Sequence, residues 1–228
     1  MHFKAFILYI YYMANRVITL FILTGIVGVI AYLVLQSPNS KQSSQNIEEY
    51  VSSVQQERSQ KDIFFKADPD SPLNAEQKDT FKQLYYYPID PNYRIEADVE
   101  VMPLPEPIAL TTSDGQQRLL NRWGFANFSI NGKDQRLLLL KPVEEEENRL
   151  FIPFSDATSA LQTYGAGRYL DVELPESNTL VLDFNKAYNP YCAYSDNFSC
   201  PLPPGENRLQ VPIQAGEKTY ATKQANTH

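Results

Sequence analysis

From Tyr93 the polarity of the chain changes at every position. Ile95, Ala97, Val99 and Val101 alternate with Arg94, Glu96, Asp98 and Glu100, the period of a strand with one buried face and one wet face. Asp114-Gly115 and Asn131-Gly132 are two-residue hairpin signals, the second joining apolar-rich segments at 123–130 and 135–140. Residues 150–154, 169–174 and 179–184 add short strands separated by turn residues. Ahead of them the period is helical. Ile47, Tyr50, Val51, Val54, Arg58 and Lys61 share one stripe and Asn46 can cap it, which predicts a helix over about 46–65. Asn74 followed by Gln77 predicts a second helix, opened by a capping box and ending near Leu84 before Pro88. The predicted class is mainly β (α+β): a compact antiparallel β-sandwich or barrel preceded by two helices.

The N-terminus follows a different rule. Residues 17–35 (VITLFILTGIVGVIAYLVL) run without a charge and without the polar stripe of a globular helix. Nineteen residues at a 1.5 Å rise cross a hydrocarbon core of about 30 Å, so an N-terminal transmembrane helix is expected. The run is longer than a signal-peptide core, and no small-residue cleavage pattern follows it, which favours an uncleaved signal-anchor. Lys4 and Arg16 precede the run and bias the N-terminus to the cytoplasm; Met13 is a second candidate start. The expected organisation is a cytoplasmic N-terminus (1–16), a membrane helix (17–35), a polar tether (36–45) and an extracytoplasmic domain (46–228), periplasmic in a Gram-negative cell.

Charge then narrows the partners. The formal charge is −7, and all the acidic residues fall after residue 40, so no nucleic acid is expected as a partner. Chemistry narrows with it. The only histidines are His2 and His228, at the two ends, which leaves the folded region without the imidazole of a Ser-His-Asp or Cys-His centre or of most catalytic zinc sites. The acidic run 144–147 reads as a solvated loop.

Cys192 and Cys200 flank a polar turn, and in an oxidising compartment they are expected to form a disulfide contributing about 2–3 kcal/mol. Asp183 and Asn185 lie two apart at a strand end, with Asn189, Glu206 and Asn207 nearby in sequence. Asp156, Arg168, Asp171 and Glu217 join them if the strands converge. Such oxygens suit Ca²⁺ or Mg²⁺, or acid–base work by paired carboxylates; as ordinary structure they would cap turns and pair with arginines. Gly165-Ala166-Gly167-Arg168 could bring backbone N–H groups and a guanidinium to an anion, or simply form a tight turn. The tentative ligand-binding set is Arg168, Asp183, Asn185, Asn189, Glu206 and Asn207.

The longest distinctive stretches are FIPFSDATSALQTYGAGRYLD at 151–171 and LDFNKAYNPYCAYSDNFSCPLPPGENRLQVPIQAGEK at 182–218. With ERSQKDIFFKADPDSPL at 57–73 and YYYPIDPNYRIEA at 85–97, they resemble the family called domain of unknown function 1684, found in bacteria and archaea. The likeness covers nearly everything after the tether. It implies no catalytic residue. Ala160 departs from the family pattern, where glycine is expected.

Three functions compete on these residues. The first is a membrane-anchored module binding a small polar or anionic ligand; the second is a carboxylate- or metal-dependent hydrolase; the third is a structural subunit of a membrane complex. The lack of a nucleophile–base pair favours the first, and the concentration of carboxylates beside an Asn-rich loop favours the second. The third draws only on the apolar helix, whose Gly25 and Gly28 lack the four-residue spacing of a packing motif.

Overall fold

The computed structural model describes residues 16, 22–29, 32, 38–143 and 148–220. It divides into two units, 1–50 and 51–228. In the first, residues 22–29 are helical and exposed, Ile22, Leu23, Ile26 and Val27 included. Among the described residues no helix is long and apolar enough to cross a membrane. Residues 17–21, 30, 31 and 33–35 of the expected span, and the acidic run 144–147, lie outside the described residues.

Helix α1 is Pro38–Ala67 and α2 is Ala75–Thr80. The first begins well before the expected Asn46 cap, so residues 38–45 of the expected tether are helical. They carry no apolar stripe, and the periodicity of the sequence was blind to them. The second has the capping box as expected: Asn74 Oδ1 accepts from the Gln77 amide at 2.8 Å, and Gln77 Oε1 accepts from the Asn74 amide at 2.9 Å. It stops earlier than expected, because Phe81 turns to an extended conformation (φ −63°, ψ 129°).

The second unit is an antiparallel sheet of β1 (Arg94–Thr111), β2 (Gln117–Ile130), β3 (Lys133–Pro142), β4 (Arg149–Phe154), β5 (Arg168–Glu173) and β6 (Thr179–Asp183). The spatial order is β5-β4-β3-β2-β1-β6, and the sheet curls into a nearly closed barrel. Of the two expected architectures, the barrel describes it. The β2–β3 hairpin turns on Asn131 (φ 52°) and Gly132 (φ 70°), the paired left-handed conformations that match strand twist.

The four consecutive leucines of β3, Leu137 to Leu140, are fully buried because this strand is covered on both faces. Leu137 and Leu139 join the main core with Ile152, Phe154, Leu182 and Ile213; Leu138 and Leu140 pack with Leu110 and Leu120 against Phe151. The irregular C-terminal third of the chain adds Leu209, Val211, Ile213 and Ala215 to the main core and is pinned by single side chains. Asn207 is one: its Oδ1 accepts from the Leu138 amide at 2.6 Å while its Nδ2 donates to Leu138 O (3.0 Å) and Pro153 O (2.8 Å). One amide side chain thus satisfies backbone groups of β3 and β4, where a single residue pair, Leu140 and Phe151, keeps ladder register.

Ala160 sits at φ 64°, in the left-handed region that glycine adopts without cost. A Cβ there costs about 1–2 kcal/mol, against about 0.5–1 kcal/mol of extra unfolded-chain entropy for glycine. Ala160→Gly is expected to stabilise the domain by about 0.5 kcal/mol, read as a rise in urea midpoint at constant m-value. A fall in the midpoint would contradict this account of the turn.

Candidate functional site

The six tentative ligand residues are not gathered into one site. Arg168 is buried, and its guanidinium is consumed inside the fold: it donates to Asp156 Oδ2 (2.9 Å), to Ile213 O (2.9 Å), to Glu217 O (3.2 Å) and to Ala215 O. The Gly165–Arg168 stretch is a turn rather than an anion cradle. Gly167 (φ 95°) donates to Tyr164 O at 3.0 Å, and a Cβ on it would meet Phe154 O at 2.5 Å. Asp183 Oδ1 accepts from the Asn185 amide at 3.1 Å, capping the turn that ends β6. Asn185 bonds the Asp90 backbone in both senses, accepting at 2.9 Å and donating at 2.8 Å. Asn189 donates to Glu217 Oε1 (3.2 Å) and Lys218 O (2.8 Å). Glu206 is exposed and pairs with Arg122 at 2.8 Å; its own amide and that arginine hold its carboxyl below the usual range. Among the described residues no three or more carboxylate, cysteine or histidine groups converge as a metal site requires, so the set offers Ca²⁺ or Mg²⁺ no cage.

Cys192 and Cys200 are both buried and stand as thiols, without a bond joining the expected disulfide pair. They are neighbours nonetheless, the Cys192 amide donating to Cys200 Sγ at 3.2 Å. Contact with the Cys192 thiol, followed by burial, pushes the Cys200 thiol far above its ordinary range, which removes the thiolate a nucleophile needs.

A recess with mixed cationic and aromatic walls lies elsewhere. A cleft of about 680 Å³ opens between the outer face of β2, β4 and β5 on one side and α1 with the loops at 185–191 and 198–201 on the other. That volume suits a small molecule. Five cationic side chains line it, Arg58, Lys61, Arg118, Arg149 and Lys186, against the acids Glu57 and Asp171. The excess is notable in a chain of net charge −7. Of the tentative ligand residues only Asn185 is on this wall.

Between the cations runs an aromatic ladder. Phe151 meets Tyr169 edge-on at 4.7 Å between centroids, and Tyr169 meets Tyr188 at 5.8 Å. The Lys61 ammonium lies 4.9 Å from the Tyr188 ring centre, and the Arg58 guanidinium 4.3 Å over Tyr86. Hydroxyls are tied down: Tyr169 donates to Pro201 O at 2.6 Å and Tyr188 to Asp171 Oδ2 at 2.8 Å. Burial pushes the phenols of Tyr86, Tyr169 and Tyr188 up, so they stay protonated donors.

Behind the wall sits Glu217, 1% exposed. Its carboxylate accepts from Lys61 Nζ at 2.8 Å, from the Asn189 amide at 3.2 Å and from the Tyr194 hydroxyl. Burial raises its pKa and the Lys61 charge opposes that rise. The sequence held one signal for this arrangement, two cations, Arg58 and Lys61, on the otherwise apolar stripe of α1. Arg118, Arg149 and Lys186 come from three separate segments and carried none.

Fold and cleft together define a class: a mainly β antiparallel domain carrying a cation-lined, aromatic-walled recess on the outside of its sheet. The chain belongs to the family described as protein of unknown function (DUF1684), whose model matches residues 79–218. It is similar to the solution NMR structure of an uncharacterized protein from Haloarcula marismortui, at 39% identity and a TM-score of 0.62, with 77% of this chain and 97% of that chain covered. Among curated proteins nothing matches the chain.

Proposed function

We propose that this protein is a membrane-anchored binding module that holds a small anionic ligand in the 680 Å³ cleft. The observation that carries the reading is the reversal of charge: five cations against two acids line the recess of a chain that is acidic overall. Such a wall focuses potential on a bound anion, and guanidinium groups recognise carboxylate and phosphate by paired hydrogen bonds. The anchor rests on the uncharged run 17–35 and on the exposed apolar side chains of its described part. Lys4 and Arg16 support an extracytoplasmic domain, where the neighbouring Cys192 and Cys200 would be free to oxidise.

The hydrolase alternative has less behind it. Glu217, a carboxyl whose pKa burial raises, is enclosed behind Lys61 rather than set on the cleft wall. The reading of a structural subunit gains nothing beyond the apolar run.

The full chain in nonionic detergent is expected to melt higher in the presence of 1-naphthoate at millimolar concentration, by an amount that grows with ligand as RT ln(1 + [L]/Kd). The shift should shrink in high salt and vanish in the Arg118→Gln, Arg149→Gln double variant, whose sites are exposed and outside the core. A shift that survives the double variant intact would place the anion somewhere other than this cleft.

A further inference from the structure

Lys61 belongs to two environments at once. It lines the cleft with 26% of its side chain exposed, and its ammonium bonds the buried Glu217 carboxylate at 2.8 Å. An ammonium has three N–H donors, and among the described residues the bond to Glu217 is the one hydrogen bond that Lys61 makes. The Tyr188 and Phe65 rings lie 4.9 and 5.5 Å from it and favour a cation there. How much of the Lys61 charge the cleft feels is therefore set by one carboxyl group.

That group can exist in two states. Ionised, Glu217 balances Lys61, and the pair presents no net charge to a ligand. As a neutral acid it leaves a half-buried ammonium without its carboxylate, and a bound anion takes that place. Burial favours the neutral acid, opposed first by Lys61 and then by the Asn189 amide and Arg168. An anion that draws on Lys61 weakens the largest of these oppositions. A second observation points the same way: Asn189 Oδ1 is buried with no hydrogen-bond partner, on the same amide whose Nδ2 donates to Glu217 Oε1 at 3.2 Å. The residue beside the carboxyl thus carries an acceptor suited to a carboxylic proton.

The other groups around the pair do not supply this change. The Tyr194 hydroxyl donates to Glu217, and Arg168 on β5 donates to Glu217 O at 3.2 Å while held by Asp156 at 2.9 Å. Tyr86, within reach of the Glu217 and Asp62 charges, stays a protonated phenol. The arginines of the wall are charged at every pH of interest, so whatever partners they keep within the fold, they add nothing to a difference between two pH values. The remaining acids are Asp62, whose carboxylate accepts from the Leu84 amide at 2.8 Å, and Glu57 and Asp171 on the wall.

We propose that the cleft takes up its anion together with a proton, Lys61 exchanging the Glu217 carboxylate for the ligand as Glu217 becomes a neutral acid. The proton comes from solvent and stays on Glu217; no bond to the ligand is made or broken. This rests on the anion-binding reading above and adds to it the residue that meets the anion and the condition that favours binding. By linkage the anion is held more tightly in acid.

The test is isothermal titration of the full-length protein in nonionic detergent with 1-naphthalenesulfonate, an anion that keeps a single charge from pH 5 to pH 8. Its affinity is expected to be about tenfold higher at pH 5 than at pH 8. Titrations in two buffers of different ionisation enthalpy, at steps across that interval, should show a proton taken up on binding. Glu217→Gln should bind equally at both pH values and near the wild-type affinity at pH 5, because Lys61 then lacks its carboxylate throughout. Lys61→Gln should bind weakly at both. Equal wild-type affinity at pH 5 and pH 8 with no proton uptake overturns the inference while the anion-binding cleft stands. A pH dependence that persists in Glu217→Gln assigns the proton to another carboxyl, such as Asp62, and overturns it as well. Because the proton count is read on the wild type, it decides even where a variant fails to fold. Failure of the sulfonate to bind at either pH removes the cleft reading and this inference with it.

Discussion

Arg168→Ala is expected to abolish the cooperative thermal transition of the domain. The side chain is 1% exposed and makes bonds that nothing else can supply: the ion pair to Asp156, and donation to the carbonyls of Ile213, Ala215 and Glu217. Removing it strands a buried carboxylate, which by itself costs about 3–5 kcal/mol, and leaves carbonyls unsatisfied at about 1 kcal/mol or more each. The sum is comparable to the whole stability of a domain of this size. The loss is not local. Ile213 belongs to the main core, and the Glu217 carboxylate holds Lys61 of α1, so freeing the 213–217 strap uncouples the helix from the barrel. Arg168→Lys keeps the charge and reaches part of the same acceptors without the planar fork, and should keep a cooperative transition at a lower temperature than wild type. If Arg168→Ala melts within a few degrees of wild type, this residue is not the keystone the geometry describes.

That role also explains how the sequence misleads about the site. The segment 183–217 concentrates Asn, Asp, Glu and Arg, which at first sight reads as a pocket. Its chain is irregular and lies over a sheet, so its backbone donors and acceptors find no ladder, and side chains must satisfy them. Asn185 and Asn207 each do so by donating and accepting with one amide group. Polar density here is the signature of loop packing. What was legible was local: the strand alternation from Ile95, the Asn131-Gly132 hairpin, the Asn74 and Gln77 capping box. The cleft was not legible, because its cations come from α1, β2, β4 and a turn after β6, and only the closing of the sheet brings them together. Arg168 shows the two sides in one residue. Its place beside Gly167 suggests anion binding, yet the turn aims it inward at Asp156.

Lys61→Ala is expected to cost little in acid and increasingly more as the pH rises. Lys61 is the cation that faces the buried Glu217 carboxylate, at 2.8 Å, with Glu217 1% exposed. Burial raises the folded-state pKa of Glu217 above its unfolded value of about 4.3, so between those two values the folded domain holds a proton that the unfolded chain has released. Stability therefore falls as pH rises through that window, and below about pH 4 the effect is absent because both states are protonated. Without Lys61 the opposing charge is gone, the folded pKa climbs further, and the window lengthens upward. The gap between wild type and Lys61→Ala should be near 1 kcal/mol at pH 5, mostly the lost contacts with the Tyr188 and Phe65 rings, and about 3 kcal/mol at pH 8. Glu217→Gln removes the titrating group while keeping acceptors for Tyr194 and Asn189, so its stability should lack this slope. Adding Lys61→Ala to Glu217→Gln should then cost about the same 1 kcal/mol at both pH values, since the charge that needed Lys61 is no longer there. Urea titrations of the four proteins at pH 5 and pH 8 measure this directly. A gap between wild type and Lys61→Ala that stays constant with pH would mean that Lys61 stabilises the domain by packing alone.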